Sequence, residues 1–393
     1  MADPLSLYVH IPFCTAKCSY CDFNSYANHE HLIPSYTETI VHEAQLWQRT
    51  TADRPFETVF FGGGTPSLMP LEELSMILNG LRAAFEIAPD AEVSLEANPN
   101  SLDEAYLGGL LDLGFNRLSI GVQSFHDDEL RAIDRLHSAD EARAAFRAAR
   151  AAGFENVNLD LMFGLPEQPI ERWQESVEEA LALGPEHLSL YALTVEEGTP
   201  LARDVDRGRT PAPDPDNQAS HYEWTRARLA DAGYEHYEIS NWARAGRRCA
   251  HNLTYWQNRE YLGLGAGAHS YLDGVRFAVV AAPTQHMTLV DQSWREANEN
   301  DGAARMQHLV AGEQITPQLA MSDELILGLR VLDGVSRERF RERYGIEMMD
   351  AFADQLAEPI ALGLVELNDE RLRLTERGLL LSNEVFVRLL PDG

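Results

Sequence analysis

Three cysteines, Cys14, Cys18 and Cys21, follow directly on the apolar run Leu5–Ile11 within YVHIPFCTAKCSYCDF. Thiolates spaced C-x3-C-x2-C are soft, deprotonated donors that can wrap one side of an iron–sulfur cubane. The fourth iron is then left without a protein ligand and accepts an exchangeable small molecule. A zinc site usually draws on two separated pairs of ligands, and scattered buried cysteines have no reason to share one loop, so both are weaker readings. The rest of the chain is organised around this strand and its loop.

Leu5–Ile11 reads as a buried strand, with a helix-like stretch from about 30 to 50 after it. ETVFFGGGTPS repeats the plan: a strand at 57–61, a turn from Gly62 to Pro66, and a helix from Leu71 to Phe85. AEVSLEANP, NRLSIGVQS, ENVNLDLMFGLP and EHLSLYALT each add a short β-rich run, with helical patterns near 102–113, 126–152 and 170–183 between them. Six strands alternating with helices predict an α/β fold with a parallel sheet, either a partial, TIM-like (β/α)6 barrel or a doubly wound sheet. The polar residues favour the barrel. Cys14, Gly62 to Thr65, Glu96 and Gln123 follow or end successive strands and Asp160 lies within the fifth, and the carboxyl ends of strands are where such folds bind ligands.

RTPAPDPDNQ (209–218) cannot continue a helix and reads as a linker or lid. After it come a helix near 217–232, a strand in YEHYEIS, the segment CAHNLTYW, and EYLGLGAGAHSY, whose Gly263, Gly265 and Gly267 suggest close backbone approach. From Met321 the pattern becomes helices near 321–332, 336–344 and 348–362, a hairpin-like LVELNDERLRLT and a last helix from Glu376, a small winged-helix-like arrangement. The expected division is 1–240 for the barrel, 241–320 for a connecting segment and 321–393 for the C-terminal domain.

A chain of 393 residues can bury a sizeable core. Four cysteines, three in one loop, argue against a disulfide framework and for a reducing compartment. The N-terminus has no basic or long apolar run, and no later stretch reaches the roughly 18 apolar residues of a membrane span, so a cytoplasmic location is expected. Net charge is −30, and Lys17 is the only lysine. Such a balance disfavours nucleic acid as a partner, because phosphate binding relies on clustered Lys and Arg. Even the winged-helix-like stretch 321–393 carries 15 acidic against 9 basic residues, and so reads as a packing or docking module.

YVHIPFC, C-x3-C-x-Y-C, FFGGGTPS, LEANP, GVQSF, LDLMFGLP and LYAL, spanning residues 8–194, resemble in order the motifs of a radical S-adenosylmethionine (SAM) family. That family contains anaerobic coproporphyrinogen III dehydrogenase and the HemW-type heme chaperones, and the C-terminal part of the chain is similar to it too. The resemblance implies a [4Fe–4S] cluster on Cys14, Cys18 and Cys21, with SAM chelated at the open iron and its sulfonium bond cleaved by one electron to a 5′-deoxyadenosyl radical. The family's SAM-contacting positions fall on Tyr8, Tyr20, Gly63, Gly64, Thr65, Glu96, Gln123, Arg135 and Asp160. Whether one or two SAM molecules bind is left open.

Two features choose within the family. The dehydrogenase carries a further cysteine where this chain has Phe23, and CAHNLTYW resembles the HNxxYW motif of the heme chaperones. Together they imply heme binding and delivery to acceptors such as respiratory-chain proteins, without oxidation of coproporphyrinogen and with no residue assigned as catalytic. The alternative is the dehydrogenase or a related radical-SAM methyltransferase, and homodimer formation stays open. In residue terms, His251 offers an imidazole for axial ligation of heme iron, Cys249 is a second candidate ligand, and Tyr255 and Trp256 are rings that either stack on a porphyrin or pack in the core.

An excess of 30 negative charges opposes the compact state by self-repulsion, which salt screens over about 8 Å at physiological ionic strength and over less in brine. The melting temperature should therefore rise from low salt to molar KCl. A flat or falling dependence would contradict this.

Overall fold

The computed structural model describes residues 3–299 and 305–391. Residues 300–304 of the expected connecting segment, and the two extreme residues at each terminus, lie outside the described residues.

Polar and apolar residues alternate along the strands, and this alternation sets the architecture. In β1 (Leu5–Ile11), Leu5, Leu7, Val9 and Ile11 belong to the main apolar core beneath the helices, while Ser6, Tyr8 and His10 point the other way. β2 (Phe56–Gly63), β3 (Ile87–Ala97), β4 (Arg117–Gln123), β5 (Val157–Phe163) and β6 (His187–Ala192) follow the same period of two. All six pair in parallel and in chain order. Helices Ile33–Trp47, Leu71–Ala84, Glu104–Leu113, Ala139–Ala152 and Ile170–Leu183 cross between them. Register pairs Tyr8 with Phe60, Phe60 with Ser94, Glu96 with Ser119, and Gly121 with Asp160, so the inward residues form a polar and aromatic interior.

The sheet extends past the expected six strands. β7 (Glu235–Glu238) and β8 (Asn241–Ala243) add antiparallel at the β6 edge. β9 (Tyr261–Leu264) pairs in parallel with β1 and is continued by the antiparallel β10 (His269–Leu272), β11 (Val275–Val279) and β12 (Leu309–Gln314). Among the described residues the result is an open twelve-stranded sheet, curved as a partial barrel, whose order is β12-β11-β10-β9-β1-β2-β3-β4-β5-β6-β8-β7. Several boundaries differ from those expected. The pattern at 126–152 is two helices, Asp127–Ala132 and Ala139–Ala152, because Asp134 takes a left-handed φ of 55° and Ser138 caps a new start. The proline-rich linker is short, since Asp214 caps a helix that already begins at Pro215. Helices Pro200–Asp206 and Pro283–Glu299 were not foreseen. The last helix is broken into Glu376–Leu380 and Ser382–Leu389.

The segment CAHNLTYW forms the short helix Ala250–Trp256 and lies across the amino-terminal ends of the strands. Ser6 Oγ is 2.7 Å from Thr254 Oγ1 and Thr58 Oγ1 is 2.7 Å from His251 Nδ1. The Glu92 carboxylate accepts from the backbone N–H of Ala250 at 3.2 Å and of His251 at 3.1 Å. This helix is thus the floor of the barrel. The C-terminal segment closes over it from outside: the Arg330 guanidinium lies 4.3 Å from the Trp256 ring centroid, and Leu332 N donates to Tyr237 O. Beyond it, helices Pro317–Gly328, Arg337–Tyr344 and Met348–Ala361 surround a three-stranded antiparallel sheet, the winged-helix-like arrangement read from the sequence.

Arg117 is 2 % exposed and stands just above this floor. Burial alone would push its guanidinium towards neutrality, but the surrounding negative charge, Glu92 and Asp160 included, outweighs burial and holds the positive charge. Removing one partner of a buried charge set leaves the others uncompensated, so Arg117→Met should cost about 3–5 kcal/mol of stability. Denaturant unfolding measures this, and a loss below about 1 kcal/mol would contradict the assignment.

Candidate functional site

The cysteine loop is held against the Gly62–Thr65 turn by backbone bonds: Gly64 N donates to Ile11 O and Thr65 N to Phe13 O, each at 2.8 Å. A Cβ on Gly64 would come within 2.6 Å of Phe13 O and 3.0 Å of Cys14 Sγ, so only glycine permits this approach. A hydrogen-bonded run then joins two of the sulfurs. Thr65 Oγ1 lies 3.5 Å from Cys14 Sγ and accepts from Asn98 Nδ2, while Asn98 Oδ1 accepts from Arg135 Nη2 at 2.7 Å and Arg135 Nη1 reaches Cys18 Sγ at 3.8 Å.

Burial pushes the thiols of Cys14 and Cys21 up, only partly offset by hydrogen bonds from Thr65 and Ser25 to Cys14 and from Phe23 to Cys21. Iron must therefore displace protons there. Among the described residues no three His, Cys, Asp or Glu side chains converge as a single-ion site requires. Three sulfurs that each ligate a different iron need no such convergence. The donor set, the glycine cradle and the donors aimed at two sulfurs all fit a cubane.

The expected SAM-contacting residues gather at this end of the barrel. Tyr8, Gly63 and Glu96 line a cavity of about 410 Å³ together with His10, Phe23, Asn24, Tyr255, Tyr261, Gly267 and His269. Gly63, at φ +112°, donates its N–H to Glu96 Oε2 at 3.1 Å. Gln123, at φ +66° after a shift of register, and Arg135 flank Gly121; a Cβ there would lie 3.1 Å from Gln123 Nε2 and 3.3 Å from Arg135 Nη2. Tyr20 packs on the small apolar cluster of Ile133, Met162 and Leu165. Asp160 accepts from Ser119 Oγ at 3.1 Å and Asn158 Nδ2 at 2.7 Å. Enclosure first, and the charge of Asp160 second, raise the Glu96 carboxyl to about 8. The neutral form therefore prevails there, and a cationic ligand would favour the ionised one.

His251 and Cys249 stand apart from this set, in the floor. The His251 ring is 1 % exposed, with Nδ1 on Thr58 Oγ1 at 2.7 Å and Nε2 on Tyr255 Oη at 2.9 Å, and it stacks on Phe60 at 4.9 Å. Burial, then Arg117, lowers its pKa to about 3, so the ring is neutral. Iron ligation through it would require one of these hydrogen bonds to open. Cys249 is fully buried, with Sγ 3.5 Å from Glu92 Oε1, and burial pushes its thiol up to about 12. Of the two aromatic candidates, Tyr255 reaches the cavity and Trp256 faces the C-terminal segment.

Comparison with known proteins agrees with this arrangement. Residues 8–180 match the model of the radical SAM superfamily, and residues 315–381 match that of the HemN C-terminal domain. Heme chaperone HemW of Bacillus subtilis is 37% identical over 391 residues, which covers 98% of this chain and 99% of that protein. The chain belongs to the HemW family. Heme chaperone HemW of Mycobacterium tuberculosis is 37% identical over 99% of this chain and 95% of its own length, and the mouse mitochondrial radical S-adenosyl methionine domain-containing protein 1 is 36% identical over 98% and 87%. The solved structure of coproporphyrinogen III oxidase (HemN) from Escherichia coli superposes with a TM-score of 0.83 at 25% identity, covering 98% of this chain and 90% of that one.

In this HemW-family chain several site residues went unread in the sequence. His10 accepts from the Tyr8 hydroxyl at Nδ1 (3.0 Å), since its Nε2, 2.8 Å from the carbonyl oxygen of Asn24, must carry the proton. Asn98 carries the link between the two sulfurs, and Tyr261 and His269 line the cavity. The signal for His10 was present in Ser6, Tyr8 and His10 alternating with aliphatic residues; the others come from loops and strands that no short-range pattern places.

Glu96 keeps its proton to about pH 8 when folded, against an ordinary value of 4.5. The folded state binds more protons between those limits, so its contribution to stability declines as pH rises from about 4.5 to 8. Glu96→Gln should flatten this decline, by an amount on the order of a few kcal/mol across the window. Unfolding of cofactor-free protein at about pH 5 and about pH 8.5 checks it; equal slopes for both proteins would contradict the shift.

Proposed function

We propose that this chain binds heme and delivers it to acceptor proteins, respiratory-chain components among them, while carrying a [4Fe–4S] cluster and exchangeable SAM. The observation that carries the reading is the near-complete coverage by heme chaperones at 37% identity. It is joined by a cysteine loop that ends in Phe23, whose ring is 61 % exposed at the cavity lip and offers an apolar face. Cys14, Cys18 and Cys21 would hold the cluster in this reading, and such a cluster, when bound, would supply a chelation point for SAM and one electron for cleavage of its sulfonium bond.

The remaining steps belong to the chain's own groups. Arg135 offers its guanidinium to a carboxylate, Gly63 and Gly64 let the backbone approach an ammonium group, and Glu96 and Asp160 present carboxyls to hydroxyl or cationic groups. Tyr8 lines the cavity, while Thr65 lies against Cys14, Tyr20 packs on the Ile133, Met162 and Leu165 cluster, and Gln123 flanks Gly121. His251, fixed by Thr58 and Tyr255, supports the cavity from below and would hold heme iron only if one of these two hydrogen bonds opened. All four cysteines are unpaired, in keeping with a reducing cytoplasm.

Likeness to coproporphyrinogen III oxidase favours oxidative decarboxylation as the second reading. Anaerobically reconstituted protein separates the two. It should bind heme and leave coproporphyrinogen III unchanged with SAM and a reductant, and Cys14→Ser, Cys18→Ser or Cys21→Ser should each abolish the cluster's visible absorbance. Conversion of coproporphyrinogen, or full cluster content in all three variants, would overturn the proposal.

A further inference from the structure

The cavity beside the cysteine loop has a wall that lies outside the expected SAM-contacting residues. Phe23, Tyr255, Tyr261 and His269 form it, lining the same cavity as Tyr8, Gly63 and Glu96. Its volume of about 410 Å³ lies within the range of roughly 300–1,000 Å³ usual for ligand sites, and it is open on one side.

Three features of this wall suit one ligand chemistry. The first is an iron ligand. His269 begins β10 with its side chain exposed at the lip, and among the described residues it has no hydrogen bond or ion pair. His10, His187 and His251, the histidines inside the barrel, each have both ring nitrogens engaged. His269 alone among these presents a free imidazole nitrogen to the cavity. The second is a flat apolar contact. The Phe23 ring is 61 % exposed, and Tyr261 stands edge-on to Tyr255 at 4.7 Å. The third is charge. Lys17, the only lysine of a chain with net charge −30, is exposed and donates from Nζ to the carbonyl oxygen of Phe23 at 2.8 Å. A dianionic planar ligand repelled by the surface at large finds its cation here, beside the aromatic face and within the same loop.

We propose that heme docks at this mouth with His269 as axial iron ligand, Phe23 and Tyr261 against the macrocycle, and Lys17 paired with a propionate. The proposal rests on the heme-binding reading above and assigns its residues. An imidazole nitrogen with no hydrogen-bond partner is a ready donor to heme iron, and an exposed ring at a cavity lip ligates it without any rearrangement of the barrel. The ligand can leave by the same opening, as transfer to an acceptor requires. The HNLTYW helix then serves as the floor beneath the site.

Full-length, cluster-loaded protein titrated with hemin and followed in the Soret band tests this. His269→Ala should weaken heme binding about tenfold or more and shift the band, and added imidazole should restore the wild-type spectrum. Lys17→Gln should weaken binding about threefold to tenfold, with a smaller dependence on salt. Cluster absorbance should be the same in all three proteins, which shows that the variants are folded. If His269→Ala binds heme with wild-type affinity and spectrum, or binds more weakly without recovery on adding imidazole, the ligand lies elsewhere and the proposal is overturned while the chaperone reading stands. A wild-type protein that binds no heme overturns both.

Discussion

The buried guanidinium of Arg117 is the interaction on which the rest depends. A parallel sheet covered on both faces is normally apolar on both, yet here the concave face carries Glu92, Glu96, Asn158, Asp160 and His187. Enclosed carboxylates are tolerated only with a positive charge or hydrogen-bond donors at hand. Arg117 supplies the charge near the floor, with Glu92 and Asp160 about it, and Ser119 and Asn158 supply donors to Asp160. Glu96, farther up, has a single backbone donor and holds its proton to about 8. A gradient therefore runs from a neutralised floor to a poorly compensated mouth, and the mouth is where a charged cofactor has most to contribute.

Much of the fold was legible because its strands obey a period of two and end in turn or cysteine chemistry. Leu5–Ile11 and Ile170–Leu183 fall where the sequence puts them, and Phe56–Gly63 only extends the expected 57–61. The failures have separate physical causes. The antiparallel extension from β10 to β12 consists of short strands such as His269–Leu272, whose partners are set by tertiary pairing and not by local pattern. The break at 133–138 hides inside a helical composition and is imposed by the Asp134 backbone, which brings Arg135 to Cys18. Gly263, Gly265 and Gly267 were read as close approach, and Gly267 does lie against another group: a Cβ there would stand 2.4 Å from Asn24 Nδ2, the residue that carries the cysteine loop to the connecting segment.

The site was legible in part for the same reason. Residues at strand ends declare themselves by their chemistry, and Glu96 and Gln123 do lie around one end of the barrel, where the loop after Asp134 also brings Arg135. The segment CAHNLTYW could not be placed that way. Its histidine, cysteine and aromatics have the same composition whether they face a ligand or a core, and only the tertiary contacts of Ala250–Trp256 with Ser6, Thr58 and Glu92 put it in the floor. The two ends of the barrel thus divide the work: one carries the cysteine loop, an exposed imidazole and aromatic rings, and the other is closed and charge-balanced.

Hydrogen exchange, with and without heme, tests this division most directly. The amides of Ala250 and His251, donated to Glu92 beneath a packed barrel, should exchange as slowly as those of Leu7–Val9 and be unaffected by heme. Protection gained on binding heme should fall on residues 22–25 and 267–271. Rapid exchange at 250–251, or a heme effect confined to that helix with none at the mouth, would contradict the account.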